Sequence, residues 1–122
     1  MTLPELYQTI GGDYDQALRV LHIEKLIDKH IRKFPKNGVV DAVLSAGKTM
    51  DADGLFETAH ALKGVSANLG LTALSDAAAV ITEEFRPGNA RKLSDAEIGE
   101  KLHNIEDMYN RIKEGIRQYE EG

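Results

Sequence analysis

One short stretch, His60-Ala61-Leu62-Lys63-Gly64-Val65-Ser66-Ala67-Asn68-Leu69-Gly70, combines side chains suited to moving a charged group. Laid out as a helix at about 100° per residue, Leu55, Ala59, Leu62, Ser66 and Leu69 form an apolar stripe in alternating steps of four and three. His60 falls roughly 140° from the centre of that stripe, and Lys63, Gly64 and Ala67 lie beside it at i+3, i+4 and i+7. A core histidine would belong inside the stripe. This one faces away from it, next to a cation and a residue without a side chain, as a group presented to a partner would.

Such an imidazole could ligate a metal, act as a general base, accept a covalent group, or do nothing. A metal needs further ligands converging on it. His22, His30 and His103 lie on other segments without H-x-x-x-H or E-x-x-H spacing, and Lys63 would repel a cation, so no metal site is expected. General-base work on a small molecule needs a concave pocket, which a convex helix surface does not offer. No G-x-x-x-x-G-K loop is present to cradle a nucleotide. Covalent phosphorylation suits every neighbour. The attacking ring nitrogen must be unprotonated, Lys63 supplies a counter-charge to phosphoryl oxygens, and Gly64 clears room for an incoming active site. A glycine inside a helix costs about 1 kcal/mol relative to alanine, so close approach of a partner is a reason to keep it. Phe56, at i−4, sits between the buried stripe and the histidine face as an apolar docking rim.

The elements that must hold this stretch read as helices throughout. Thr2 with Glu5 forms a capping box for a short helix stopped by Gly11-Gly12. Asp13, with Gln16 three residues on, opens a longer one, in which Ala17, Val20, Leu21, Ile23, Ile27, Ile31 and Phe34 keep helical spacing. Pro35 and Gly38 interrupt it, and residues 39–48 resume as a short helix or the far half of a kinked one. Asp51 is placed as N-cap of the His60 helix, with Asp53 in its first turn and Gly70 as the residue ending it. Thr72 caps a further helix carrying Leu74, Ala78, Ile81 and Phe85, closed by the Arg86-Pro87-Gly88-Asn89 loop. Ser94 and Glu97 box the start of the last helix. Its apolar residues Ile98, Leu102, Ile105, Tyr109, Ile112, Ile116 and Tyr119 run through a soft spot at Gly115.

Four substantial amphipathic segments with short connections predict an all-α fold: an antiparallel up-down four-helix bundle with short additional N-terminal helices, forming one domain over residues 1–122. The four-three spacing favours crossing angles near about 20°. The Pro and Gly breaks cut the pattern too short for a coiled-coil oligomer, so a monomer is expected. His30 is placed beside the stripe with Ile27 and Ile31 as a partly buried histidine, and His22 and His103 on the surface.

Bulk properties narrow the partners. A chain of 122 residues with no cysteine can bury a core without disulfides. Its 42% hydrophobic and 29% charged residues are ordinary for a globular protein. A net charge of −5 argues against nucleic acid as a partner. No apolar run is long enough to span a membrane, and the N-terminus lacks an export signal, so a cytoplasmic location is expected.

The pattern His60-x-Leu62-Lys63-Gly64-x-Ser66-x-x-x-Gly70, on the second long helix of such a bundle, resembles the signature of the histidine-containing phosphotransfer (HPt) domain family, and the resemblance covers essentially the whole chain. It implies that His60 carries a phosphoryl group, usually on the nitrogen farther from the backbone, and that Lys63 stabilises it. Phe56, Gly64 and Ala67 would meet the partner, while Ser66 and Gly70 are structural. It further implies no autonomous chemistry and no cofactor of its own. Phosphate passes between aspartates of response-regulator receiver domains, which bring the magnesium, and a hybrid sensor histidine kinase stands upstream. Many relatives place a carboxylate or amide on the next helix to orient the imidazole. Counting from Gly70 puts that position at Thr82, with Glu83 about 100° out of register. Either Thr82 makes the contact, or the helix is shifted, or no side chain does. Glu83 and Glu84 otherwise read as a solvated acidic face. A stand-alone protein is expected over an excised domain of a hybrid kinase, from Met1 and the complete bundle. The alternative is a helical adaptor that binds receivers or other signalling partners without being phosphorylated.

Overall fold

The computed structural model describes residues 1–122 and is entirely helical. Seven α-helices occur: α1 (Leu3–Ile10), α2 (Tyr14–Leu21), α3 (Glu24–Lys33), α4 (Val39–Lys48), α5 (Ala52–Asn68), α6 (Thr72–Glu84) and α7 (Asp95–Glu121), with a short 3-10 turn at Phe34–Lys36. Helices α4 to α7 form a closed ring in which each packs on its neighbours in the chain and α4 meets α7. Short connections force the up-down order, and α1–α3 wrap its outside, α1 on α7 and α2 on α5. This is the four-helix bundle with additional N-terminal helices that the periodicity predicts. Its core is a single cluster of 25 buried apolar residues.

Local signals explain most boundaries. Both capping boxes form, Thr2 with Glu5 and Ser94 with Glu97, each satisfying backbone N–H groups that a helix start leaves unpaired. Asp51 caps α5 by accepting from the Gly54 N–H at 3.2 Å. The far end of α5 closes as a Schellman turn: the Gly70 N–H donates to Ala67 O at 3.1 Å and the Leu71 N–H to Ser66 O at 2.8 Å. Gly70 adopts φ +69°, and a Cβ there would strike the Asp13 carbonyl. The end of the His60 helix is thereby pinned to the start of α2, where the Asp13 N–H donates to Gly70 O at 2.7 Å.

Several expectations are corrected. The helix expected from residue 13 onward breaks at His22, which takes φ +72°, and Ile23 is 52% exposed rather than part of the stripe. The break lets α2 lie on α5 while α3 turns to α7, a tertiary demand that outweighs an uninterrupted local period. Residues 39–48 form a short helix of their own, one of the two expected arrangements, begun at Gly38 in the left-handed region. Thr72 is the first helical residue, not the cap; Leu71 precedes it without a side-chain cap, because the Schellman turn already orders the chain there. His30 is exposed. Gly115 is no soft spot: it is buried, and a Cβ would run into Ile10 Cγ2, so it admits α1 against α7.

Candidate functional site

Helix α5 is a two-sided mount. Leu55, Ala59, Leu62 and Ser66 are fully buried and Leu69 is 4% exposed. The Ser66 hydroxyl donates to the Leu62 carbonyl, which lets a polar residue occupy the stripe without a desolvated orphan. With that face fixed, His60 and Gly64 can only point outward, and both are exposed. An ideal Cβ on Gly64 meets nothing within 4 Å. Space inside the protein therefore does not require this glycine.

The imidazole has one close aromatic neighbour. The rings of Phe56 and His60 are stacked, with centroids 5.9 Å apart and planes 15° from parallel, inside the range of favourable ring pairs. Phe56 is half-buried, and its ring also lies 5.2 Å from the Arg86 guanidinium carbon. Lys63 is half-buried, and its ammonium takes part in none of the ion pairs of the molecule. Its carbonyl accepts from Ser75 Oγ at 3.1 Å, tying α5 to α6 one turn from the histidine. Ala67 is half-buried between α5, the start of α2 and the start of α6, in a shallow depression with Asp13, Gln16 and Ser75.

The orienting position on α6 is resolved differently from the count. Thr82 is fully buried and its hydroxyl donates to Ala78 O at 2.8 Å, so it is not available to an exposed imidazole. Glu83 is exposed and accepts from Arg86 through Nε (3.2 and 3.1 Å) and Nη2 (2.8 Å). Hydrogen bonds from Arg86, aided by the fields of Arg86 and Lys63, hold the Glu83 carboxyl below the usual carboxylate range. Glu84, expected on a solvated acidic face, is instead buried, and its Oε2 accepts from the Lys92 and Leu93 N–H groups at 2.8 and 2.7 Å. It locks the loop between α6 and α7. Arg86 was legible only as a helix terminator; its i+3 relation to Glu83 is the one sequence signal that could have drawn it into the site.

His60 lines none of the five principal surface depressions. No three His, Asp or Glu side chains are grouped to hold a metal ion, and no helix is long and apolar enough to cross a membrane. The arrangement is an exposed imidazole on a helix surface, with the unpaired Lys63 ammonium one turn along. Such a surface can receive a group from another active site but cannot enclose a substrate of its own.

The family model described as Hpt domain matches residues 2–115. No curated protein and no solved structure matches the chain.

Proposed function

Because the chain belongs to the Hpt domain family, whose members are phosphocarriers working with receiver domains and kinases in two-component phosphorelays, we propose that His60 is its phosphoacceptor. An unprotonated His60 nitrogen attacks the phosphorus of a receiver's aspartyl phosphate. The nitrogen–phosphorus bond forms as the bond to the carboxylate oxygen breaks, and the ring proton goes to solvent. Transfer to a second receiver runs the same step in reverse. Magnesium and the remaining catalytic groups belong to the receiver. The outward setting of His60 beside an open Gly64, on a helix whose opposite face is buried, carries this reading.

Each neighbour has a physical role in it. The Lys63 ammonium balances the phosphoryl oxygens, which as a charge-assisted contact is stronger than a neutral one. Gly64 leaves the surface low where the receiver's loops approach, and Phe56 and Ala67 give the patch apolar area for a modest, transient interface. The test is incubation with a phosphorylated receiver domain and magnesium. The protein acquires an acid-labile, base-stable label, and His60→Gln abolishes it. Labelling that persists in the Gln variant removes His60 from the role. If no receiver labels the wild type, the non-phosphorylated adaptor becomes the better account.

A further inference from the structure

The Glu83–Arg86 pair stands at the edge of the phosphoacceptor ridge. Arg86 lies over one neighbour of His60 rather than in open solvent: its guanidinium carbon is 5.2 Å from the Phe56 centroid, and Phe56 is stacked on His60 at 5.9 Å. The three groups form a continuous row. Glu83 holds the guanidinium there with three N–H···O contacts, using both carboxylate oxygens, and it also feels the charge of Lys63.

A phosphoryl group on His60 would bring nearly two negative charges and three acceptor oxygens to this row. The guanidinium fork fits a phosphoryl group as well as it fits a carboxylate. Resting on the phosphohistidine reading, we propose that Glu83 is an internal stand-in for the phosphoryl group. It holds Arg86 on the Phe56 shelf while His60 is bare and yields it to the phosphoryl oxygens when His60 is charged. Arg86 then contacts the transferred group directly, and Glu83 acts through Arg86 as a positioning residue that shortens the lifetime of the phosphohistidine. A guanidinium bound through charge-assisted hydrogen bonds to the phosphoryl oxygens stabilises the resting phosphohistidine and covers its phosphorus against water, which slows hydrolysis.

A purely structural salt bridge makes the opposite prediction. Glu83 and Arg86 are i,i+3 partners with side chains 55% and 39% exposed, and such a pair ordinarily contributes little to stability. If the bridge alone mattered, removing either partner would have the same effect. Competition for Arg86 requires effects of opposite sign.

The experiment needs no receiver. The full chain is phosphorylated with phosphoramidate; the imidazole–phosphorus bond forms as the phosphorus–ammonia bond breaks, and the ring proton goes to solvent. The label is mapped to His60, and its hydrolysis is followed by 31P NMR in wild type, Glu83→Gln, Arg86→Gln, Arg86→Lys and the double variant. Glu83→Gln lengthens the half-life about threefold or more, on the scale of one exposed charge contact. Arg86→Gln shortens it by a similar factor, Arg86→Lys lies between, and Glu83→Gln has no effect once Arg86 is gone. Equal lifetimes, or shifts of the same sign in both single variants, overturn the competition while leaving the phosphohistidine reading standing. Absence of label on His60 overturns both.

Discussion

Replacing Gly64 separates what the fold needs from what docking needs. The position lies inside α5, where glycine costs about 1 kcal/mol relative to alanine, and a Cβ there meets no atom within 4 Å. Gly64→Ala therefore stabilises the free protein by about 0.5–1 kcal/mol. At about 2.1 cal/mol/K per residue over 122 residues, the unfolding entropy is roughly 260 cal/mol/K, so Tm rises by about 2–4 °C. Gly64→Gln keeps much of this gain, since glutamine is also a good helix former, but it raises a long side chain in front of the approaching receiver. Phosphotransfer from a phosphorylated receiver then slows by about tenfold or more, the scale of a misplaced reacting group. Gly115→Ala is the internal control. It has the same propensity advantage, but its Cβ runs into Ile10 at the α1–α7 contact, and overpacking of about 1–3 kcal/mol turns the gain into a loss. Circular dichroism melts and single-turnover transfer measure the two quantities. A Gly64→Ala protein that melts below wild type would refute the open-helix argument. A Gly64→Gln protein that transfers at the wild-type rate would refute the clearance argument.

Three further outcomes follow from buried contacts and charges. Tyr7→Phe deletes a buried hydroxyl that donates to Leu69 O at 2.6 Å and lowers the unfolding free energy by about 1–2 kcal/mol, read by urea denaturation; an unchanged midpoint would show that the bond does not hold the end of α5. Glu84→Ala orphans the Lys92 and Leu93 N–H groups, costs about 1–3 kcal/mol, and speeds limited proteolysis within residues 86–93; unaltered cleavage would remove the loop-lock role. Asp28 accepts from Tyr119 Oη and Arg32 Nε, and the Tyr119 bond first, then Arg32, depresses its carboxyl pKa. A depressed folded-state pKa gives stability that is full above the unfolded value near about 4 and is lost as pH falls through the folded one. The advantage of wild type over Asp28→Asn, below about 1 kcal/mol at this partly exposed site, is thus present at pH 7 and shrinks as pH falls below about 4; an advantage that is constant with pH would sink the assignment.

The sequence alone determined the elements whose signals are local. The caps at Thr2, Asp51 and Ser94, the terminator at Gly70 and the stripe from Leu55 to Leu69 all act within one or two turns, so spacing predicts them and also predicts that His60 faces outward. Tertiary structure decided whatever depends on residues distant in the chain. The break at His22 arises because α2 and α3 pack on different helices, and the need for Gly115 comes from α1, more than a hundred residues earlier. Thr82 was expected near the imidazole by counting, but the rotation of α6 buries it and leaves Glu83 exposed, because Leu74, Ala78 and Ile81 commit that face to the core. The row Arg86–Phe56–His60 joins two residues of α5 to one in the loop after α6, so spacing within α5 placed Phe56 beside His60 but could not reveal the Arg86 contact. The identity of the exposed histidine was legible in one helix, whereas the charges that surround it were set by how a second helix lies against the first.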